Sequence, residues 1–537
     1  MNLSVRGAPQ APAESAHWRT AMVAVLLFAV LARWLAYTGY FGSDEVTYTS
    51  QGFKLLDGDW TVADYVGQNR YGVNFPVALF GLIFGRTEFA AALYSLLSSL
   101  AEVALVTWVA YRMFGVRVAV FSGLLLASLP THIHFAGRMM ADAPVCLTLT
   151  AAFVLFYEGE VRQSKLAWFL AGFMVGFSFW IKPPITVFAA MVFMVYPMAT
   201  RRLDWRWGWV VAGAVVALLL NCLVMWALTG NFWYIFDSIR RRRSSGYLEA
   251  GVSAGEVATD AHYYLAYLFA RIYHTGLLGY VALMGVYLAW RRRASLQAPA
   301  GFGLAYLLLW ALGLMVILSL FPVSFSPLVF VPKQTNYILL FVAPLCLLAG
   351  WGLAQLTGRL PYVILGVSMA SGLLLALLLQ GSVAVFTANS WATLRYVQSK
   401  PDAHFYVMSN ALRAAWYQRL IQGVNLEPRI HPIGDLMPGK GAATAKVPAP
   451  AGAQRWAVVD EQSFSWDLSR PMARPGDVPS CWTEVAQLRG EPTGLGVTLL
   501  RALAGLPGLS GTSIGTKLQR NAQPLPARVY GVPASGC

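Results

Sequence analysis

Residues 207–228 read WGWVVAGAVVALLLNCLVMWAL, a run without a charged side chain. A helix of about 20 mainly apolar residues is long enough to cross the hydrocarbon core of a bilayer. Arg201, Arg202 and Arg206 come just before this run, and such residues are enriched in the cytoplasmic loops of membrane proteins. The stretch therefore predicts a membrane-spanning helix that starts on the cytoplasmic side.

The composition of the whole chain extends this prediction. Of its 537 residues, 57% are hydrophobic and 12% are charged, whereas about 25% are charged in a typical soluble domain. The net charge of +15 is concentrated in short loops between apolar runs, where lysine and arginine set topology. No RNA-binding signature accompanies it. We predict a multi-pass membrane protein in contact with lipid, with no nucleic-acid partner.

The same length criterion finds about eleven candidate spans along the chain. The first is expected to be retained, because no small-residue cleavage site closes it. The third to sixth are short, and two of them are expected to be tilted or broken. The predicted spans are 20–37, 89–111, 119–133, 143–157, 167–181, 185–199, 207–228, 275–290, 302–321, 337–356 and 362–380.

Lysine and arginine in the loops orient these spans. A cytoplasmic N-terminus places most basic loops inside, which is the usual arrangement in the inner (plasma) membrane. It leaves the loops 41–88 and 229–274 outside and divides the chain into a membrane domain, 1–381, and an exported tail, 382–537. One basic cluster, Arg240–Arg243, falls on the outer side against the rule.

The exported tail has the pattern of a small α/β domain. Residues 404–409 and 456–460 are predicted strands, and 410–420 is a predicted helix. Cys481 and Cys537 both lie in this tail, where oxidation is chemically permitted. A disulfide between them is a hypothesis.

Acidic residues stand in two predicted outer loops. Asp44 and Glu45 follow the first span, and Asp142 begins the fourth. Each can simply cap a helix. The functional interpretation is a general base at the bilayer surface, with the two acidic sites meeting in one cavity.

Cations are predicted at the same side of the membrane: Lys182, Lys333 and the run Arg240–Arg243. They can snorkel to headgroups or bind anionic lipid. Alternatively they neutralise a phosphate. A sugar on a lipid phosphate already carries a good leaving group, so cations that stabilise its charge and one carboxylate that deprotonates the acceptor suffice.

These motifs together resemble the GT-C glycosyltransferases, most closely glycosyltransferase family 39. That family includes protein O-mannosyltransferases and the bacterial aminoarabinose transferase of lipid A. The resemblance covers about residues 44–350. The matching motifs are Gly42-Ser43-Asp44-Glu45-x-x-Tyr48, Phe75-Pro76, Arg138-x-x-x-Asp142, Lys182-Pro183 and Lys333-x-x-x-Tyr337 followed by Pro344.

The resemblance implies an inverting glycosyltransferase with a polyprenyl-phosphate sugar donor and an extracytoplasmic acceptor: protein, lipid or cell-envelope glycan. Asp44 would be the catalytic base, and Glu45 and Asp142 supporting acidic residues. Arg138, Lys182, Lys333 and Arg240–Arg243 would bind the donor phosphate. Tyr48 and Tyr337 are further candidates for the substrate site.

His132 and His134 are also candidates for the substrate site, since they stand two positions apart near Asp142. Such imidazoles can join a divalent-metal site, but no further ligand set is evident. We therefore predict no resident metal or cofactor and favour interfacial histidines. Glu102, an acid inside the second span, is expected to face protein and not lipid.

The predicted fold class is an all-α polytopic membrane bundle with a small C-terminal α/β extracytoplasmic domain. Two other functions remain open. A transporter or lipid flippase would carry its polar groups near mid-bilayer. A non-enzymatic envelope scaffold would tolerate loss of Asp44, because a scaffold needs no base.

Overall fold

A computed structural model of the protein describes residues 17–63, 67–244, 258–294, 300–325, 328–437, 454–462, 475–509 and 511–533. Helices dominate these ranges. The nineteen α-helices described are α1 (His17–Leu35), α2 (Asp44–Leu56), α3 (Tyr71–Phe84), α4 (Glu88–Phe114), α5 (Val116–Ala127), α6 (Pro130–Ala136), α7 (Asp142–Arg162), α8 (Lys165–Ile181), α9 (Pro183–Thr200), α10 (Gly208–Thr229), α11 (Tyr234–Ser244), α12 (Tyr263–Phe269), α13 (Leu278–Arg291), α14 (Ala300–Leu320), α15 (Leu339–Ala354), α16 (Leu360–Gln398), α17 (Ser409–Gln422), α18 (Leu495–Ala504) and α19 (Ser513–Ala522).

The protein is a multi-pass membrane protein. Within the described residues, eight helices are long and apolar enough to cross a membrane: α1, α4, α7, α9, α10, α14, α15 and α16. The pair α5–α6 makes a ninth if it counts as one span, and it is bent by 63°. This pair coincides with the predicted span 119–133, one of the short spans among which two were expected to be tilted or broken.

The difference from about eleven spans has a simple origin in helix length. The predicted spans 167–181 and 275–290 correspond to α8, with 17 residues, and α13, with 14 residues. Both helices are shorter than the roughly 20 residues of a typical span. The loop 41–88, predicted to lie outside the membrane, contains the apolar helix α3. The alternation of polar and apolar segments in that loop concealed this helix.

Packing divides the chain into two compact units. The first unit, called here the helical unit, contains Met1–Tyr37, Lys54–Leu79 and Ala92–Ala376. The second, called the sheet unit, contains Thr38–Phe53, Phe80–Ala91 and Leu377–Cys537. The sheet unit thus includes the beginning of the first loop as well as the tail. A domain boundary at residue 381 stays a prediction.

Two helices form the centre of the helical unit. In the most apolar stretch of each helix, 83% of the residues are buried in α7 and 89% in α15, against 22% in α1. Helices α8 and α10 pack with their backbones in close approach: a Cβ on Gly172 would clash with the Val210 carbonyl oxygen. Small residues at contacts of this kind are typical of helix packing in membranes, where apolar burial alone provides little attraction.

The tail folds around a five-stranded mixed sheet of order β4-β3-β5-β7-β6. Strands β3, β4 and β5 are mutually parallel, and β7 pairs antiparallel with β5 and β6. A separate antiparallel pair, β1 and β2, follows α14. The strands are β1 (Pro322–Phe325), β2 (Leu328–Phe330), β3 (Ala403–Val407), β4 (Ile430–Pro432), β5 (Gln454–Val459), β6 (Thr483–Leu488) and β7 (Ala527–Val532).

The predicted α/β character of the tail is confirmed. Strand β3, helix α17 and strand β5 match the three predicted elements within two residues at each end. Cys481 takes part in a disulfide. Its predicted partner, Cys537, lies outside the described residues, so that pairing stays a prediction.

Candidate functional site

The turn that precedes α2 is shaped by Glu45. One carboxylate oxygen of Glu45 accepts hydrogen bonds from the backbone N–H groups of Phe41, Gly42 and Ser43, at 2.8, 2.6 and 3.1 Å. The side chain is only 2% exposed. Backbone N–H groups at a helix N-terminus have no intrahelical partner, and a carboxylate is a strong acceptor for them. These hydrogen bonds of Glu45 hold the turn, and its predicted part in catalysis stays a prediction.

Asp44, the first residue of α2, has the opposite environment. Its side chain is exposed, and within the described part of the chain it forms no hydrogen bond or ion pair. A general base needs oxygen atoms that are available to a substrate hydroxyl. Asp44 meets this requirement, whereas Tyr48, one turn further along the same helix, is buried at 2% exposure.

A second polar cluster lies in the helical unit, around Asp142 at the start of α7. The Lys182 ammonium donates to Asp142 Oδ1 at 2.8 Å, and the Asn336 amide donates to the same oxygen at 2.8 Å. The Lys182 nitrogen also lies 4.7 Å from the centre of the Tyr337 ring. The structure thus brings together the predicted residues Asp142, Lys182 and Tyr337. Asn336 joins them, which sequence reasoning missed.

Lys182 is buried at the junction of α8 and α9. Burial lowers the pKa of its ammonium, but the Asp142 carboxylate raises it, and the net direction is upward. The positive charge of Arg70, just before α3, acts in the lowering direction. Lys182 is consequently held in its charged form, and Arg70 is a second cation at this cluster that the sequence did not single out.

Lys333 is held by main-chain oxygen atoms. Its ammonium donates to the carbonyl groups of Ser319 and Val331, both at 2.8 Å. Burial lowers its pKa to about 8, and Asp260 opposes that shift. An ammonium carries three N–H donors, so a third remains after these two bonds. Its predicted contact with a donor phosphate stays a prediction.

The other predicted phosphate ligands lie in two places. Arg138 is buried, donates to Nε2 of His134 at 2.8 Å and lies over the Phe135 ring. Arg240 and Arg241 are exposed on α11. The side chains of Arg242 and Arg243, on the same helix, lie outside the described residues.

His132 belongs to a buried network inside the helical unit. The Arg33 guanidinium donates to His132 Nδ1 at 2.7 Å, and His132 Nε2 lies 3.1 Å from a Glu102 carboxylate oxygen. Because a guanidinium only donates, Nδ1 accepts and Nε2–H donates to Glu102. Thr150 donates to the other oxygen of Glu102 at 2.8 Å. Glu102 is fully buried against protein, as expected from the sequence.

This network bears on the metal hypothesis. Both ring nitrogens of His132 are engaged, so in this arrangement neither offers a lone pair to a metal ion. Among the residues that the structure describes, no group of three or more His, Cys, Asp or Glu side chains has the arrangement of a metal site.

The predicted site residues therefore fall into separate groups. Asp44, Glu45 and Tyr48 belong to the sheet unit, whereas Asp142, Lys182, Lys333 and the remaining candidates belong to the helical unit. That the acidic residues of both groups meet in one cavity stays a prediction.

Comparison with known proteins finds similarity to sugar transferases. The dolichyl-phosphate-mannose-protein mannosyltransferase family matches residues 71–226. The undecaprenyl phosphate-alpha-4-amino-4-deoxy-L-arabinose arabinosyl transferase of Pseudomonas paraeruginosa is 28% identical, over 63% of this chain and 60% of its own length. The transferase of the same name from Yersinia enterocolitica is 26% identical, over 57% of this chain and 54% of its own length. The matched region thus spans less than two thirds of these relatives.

Solved structures with the same fold include ArnT from Cupriavidus metallidurans in the apo state, with a TM-score of 0.54 and 17% identity over 89% of this chain and 97% of that one. The archaeal oligosaccharyltransferase AglB from Archaeoglobus fulgidus, in complex with an inhibitory peptide and a dolichol-phosphate, has a TM-score of 0.52 and 10% identity over 96% of this chain and 88% of that one. At such identities the likeness concerns the fold alone. By this fold and by the sequence matches, the chain is similar to the glycosyltransferases of the GT-C superfamily.

Proposed function

We propose that this protein transfers a sugar from a polyprenyl-phosphate carrier to a hydroxyl group of an extracytoplasmic acceptor. The observation that carries the proposal is the exposed Asp44 carboxylate, held at the start of a helix and without a partner in the described chain. The relatives support the donor class, since they are named for an undecaprenyl-phosphate-linked sugar. ArnT from Cupriavidus metallidurans has also been solved bound to undecaprenyl phosphate.

The proposed reaction is a single displacement. Asp44 accepts the proton of the acceptor hydroxyl while the oxygen of that hydroxyl attacks the anomeric carbon of the donor sugar. The bond from that carbon to the phosphate oxygen breaks, and its electron pair stays with the phosphate. Attack from the face opposite the phosphate inverts the anomeric configuration. No acid is needed for the leaving group, because phosphate leaves as a stabilised anion.

The cations stabilise the charge that develops on this phosphate. Lys182 is suited to that task because Asp142, which also accepts a hydrogen bond from Asn336, binds its ammonium and keeps it charged. Lys333, Arg138 and Arg70 are the further cations we assign to the donor phosphate. Arg240 and Arg241, exposed on α11, are proposed to contact anionic lipid headgroups near the donor.

The proposal includes a location. We assign the protein to the inner (plasma) membrane with a cytoplasmic N-terminus, so that Asp44 and the tail are extracytoplasmic. The loops rich in lysine and arginine support this orientation. A phosphatase reporter fused after Gln380 is expected to be active, and one fused after Arg293 inactive.

The decisive test is transfer from labelled polyprenyl-phosphate sugars by the purified protein. Asp44→Asn keeps the size of the side chain but removes the base, and we expect a fall of about 10²- to 10⁴-fold in kcat. Asp59→Asn is the matched control, an exposed carboxylate paired with Lys54 in the same loop. It should retain transfer within about twofold.

Each result has a distinct meaning. Undiminished transfer by Asp44→Asn would remove Asp44 as the base and favour another carboxylate. Absence of transfer by the wild-type protein with every polyprenyl-phosphate sugar would refute the enzymatic proposal and favour an envelope scaffold.

A further inference from the structure

The turn before Asp44 is anchored in the core of the sheet unit, which contains the C-terminal α/β domain. Tyr40 packs between the rings of Trp391 and Tyr417, with centroids 5.0 Å away in each case. Tyr40 and Val46 belong to the same buried cluster as Phe405 of β3. All these residues lie in the sheet unit. The aromatic contacts fix the approach of the chain to the turn on both sides.

Two hydrogen bonds then join the turn to the first part of α17. Arg413 donates to the Gly42 carbonyl oxygen at 2.7 Å, and the Tyr40 hydroxyl donates to the Asn410 carbonyl oxygen at 3.1 Å. Helix α17 begins at Ser409, just after β3 ends at Val407. In α/β domains, the carboxyl ends of parallel strands are where ligands bind. Here the chain places its own turn beside the helix that starts from this edge.

Gly42 makes this fit possible. Its φ of +90° is a conformation that side chains rarely adopt. A Cβ at this position would lie 2.9 Å from the Tyr40 hydroxyl oxygen and 3.0 Å from Asn410 Oδ1. The turn therefore approaches α17 as closely as a residue without a side chain allows.

We infer that the C-terminal α/β domain positions the catalytic base, and that Arg413 is the positioning residue through which it acts. This inference rests on the proposed function. Arg413 fixes the carbonyl of Gly42, and Glu45 binds the N–H groups of Phe41, Gly42 and Ser43. Asp44 stands between Ser43 and Glu45 in the chain, so its direction follows from both sets of bonds.

Positioning of this kind has a measurable effect on rate. A displacement of about 1 Å in a reacting group can reduce a rate by about 10²-fold. Loss of the Arg413 bond is expected to lower kcat while leaving the KM for the donor nearly unchanged, because Arg413 binds the turn and not the phosphate. The domain thus has a role in catalysis that is separate from any recognition of the acceptor.

The test compares three variants of the full-length protein in lipid nanodiscs. Arg413→Ala removes the bond, Arg413→Lys keeps a donor at reduced reach, and Arg419→Ala is the matched control. Arg419 is exposed on the same helix and forms an ion pair with Glu427. We expect a fall of about 10- to 100-fold in kcat for Arg413→Ala, partial rescue by Arg413→Lys and wild-type behaviour of Arg419→Ala.

Hydrogen–deuterium exchange separates this inference from the proposed function. Amides of residues 41–43 should exchange faster in Arg413→Ala than in Arg419→Ala, whether or not a donor is turned over. Equal exchange and equal kcat in both variants would overturn the positioning role. Faster exchange in Arg413→Ala, with no transfer by any variant or by the wild type, would support the anchoring of the turn and refute only the assigned reaction.

Discussion

Asp44 and Asp142 are both acidic residues at the first position of a helix, but their surroundings differ. Asp44 is exposed and has no partner in the described part of the chain, whereas Asp142 is 3% exposed and bound by Lys182 and Asn336. A carboxylate that accepts a proton must be accessible. A carboxylate that is buried against an ammonium holds a cation in place. The same residue type at the same local position is therefore found in two different environments, and the difference comes from tertiary contacts.

Removal of Asp142 should have the largest effect on stability. Asp142→Ala leaves Lys182 charged and buried without its partner, which costs about 3–5 kcal/mol. Asp44→Ala, in contrast, should change the free energy of unfolding by about 0.5 kcal/mol or less. Thermal unfolding of both variants in the same detergent measures the difference. The double variant Asp142→Ala, Lys182→Met should recover part of the loss. Equal melting temperatures of the two single variants would contradict the larger contribution of Asp142 to stability.

Loss of Glu45 should have an intermediate effect, and mainly on catalysis. Glu45→Ala leaves three N–H groups of the turn without their acceptor, and a lost bond of this kind costs about 1–3 kcal/mol. We expect kcat to fall about 10- to 100-fold with little change in the KM for the donor. Glu45→Gln keeps one acceptor oxygen, so its kcat should lie between those of Glu45→Ala and the wild type. A pure rise in KM would instead indicate that Glu45 contacts the substrate.

The smallest effect concerns Lys333 and pH. With a pKa of about 8, its ammonium is charged below that value and neutral above it. If the charged form binds the donor phosphate, affinity is highest at low pH and declines as the pH rises. The KM for the donor should therefore increase about tenfold between pH 7 and pH 9. Lys333→Arg, which stays charged, should remove the dependence. A flat profile in the wild type would exclude Lys333 as a phosphate ligand.

Most of the helical architecture was predictable from the sequence. Spans depend on length and apolar content, which are local properties, and the bent pair α5–α6 falls on one of the predicted spans that were unusually short. The apolar helix α3 was missed because its 14 residues lie within a loop that is polar on average. In the tail, β3 and β5 were found from their short apolar runs, whereas β6 was missed because its side chains are mostly exposed.

The site was predictable as a set of residues but not as a set of contacts. Asp142, Lys182 and Tyr337 were chosen for their types and positions, and the structure shows them together. Asn336 was missed because its contact spans 194 positions. Arg33 was missed for the same reason, because its place beside His132 depends on how α1 and α6 pack. The role of Glu45 as a ligand of the turn required the backbone geometry.

The anchoring of the turn has a consequence for the biogenesis of the protein. Gly42 and the arginine that binds its carbonyl are 371 positions apart. Strand β7, which lies between β5 and β6 in the sheet, is the last strand among the residues that the structure describes. Ribosomes add residues in order, so the membrane helices are inserted long before this sheet can be completed. The nascent protein then passes through a stage in which its helices are in the bilayer but the turn before Asp44 lacks its hydrogen bonds to α17. Under the proposed function, transfer is therefore expected only after this sheet has folded.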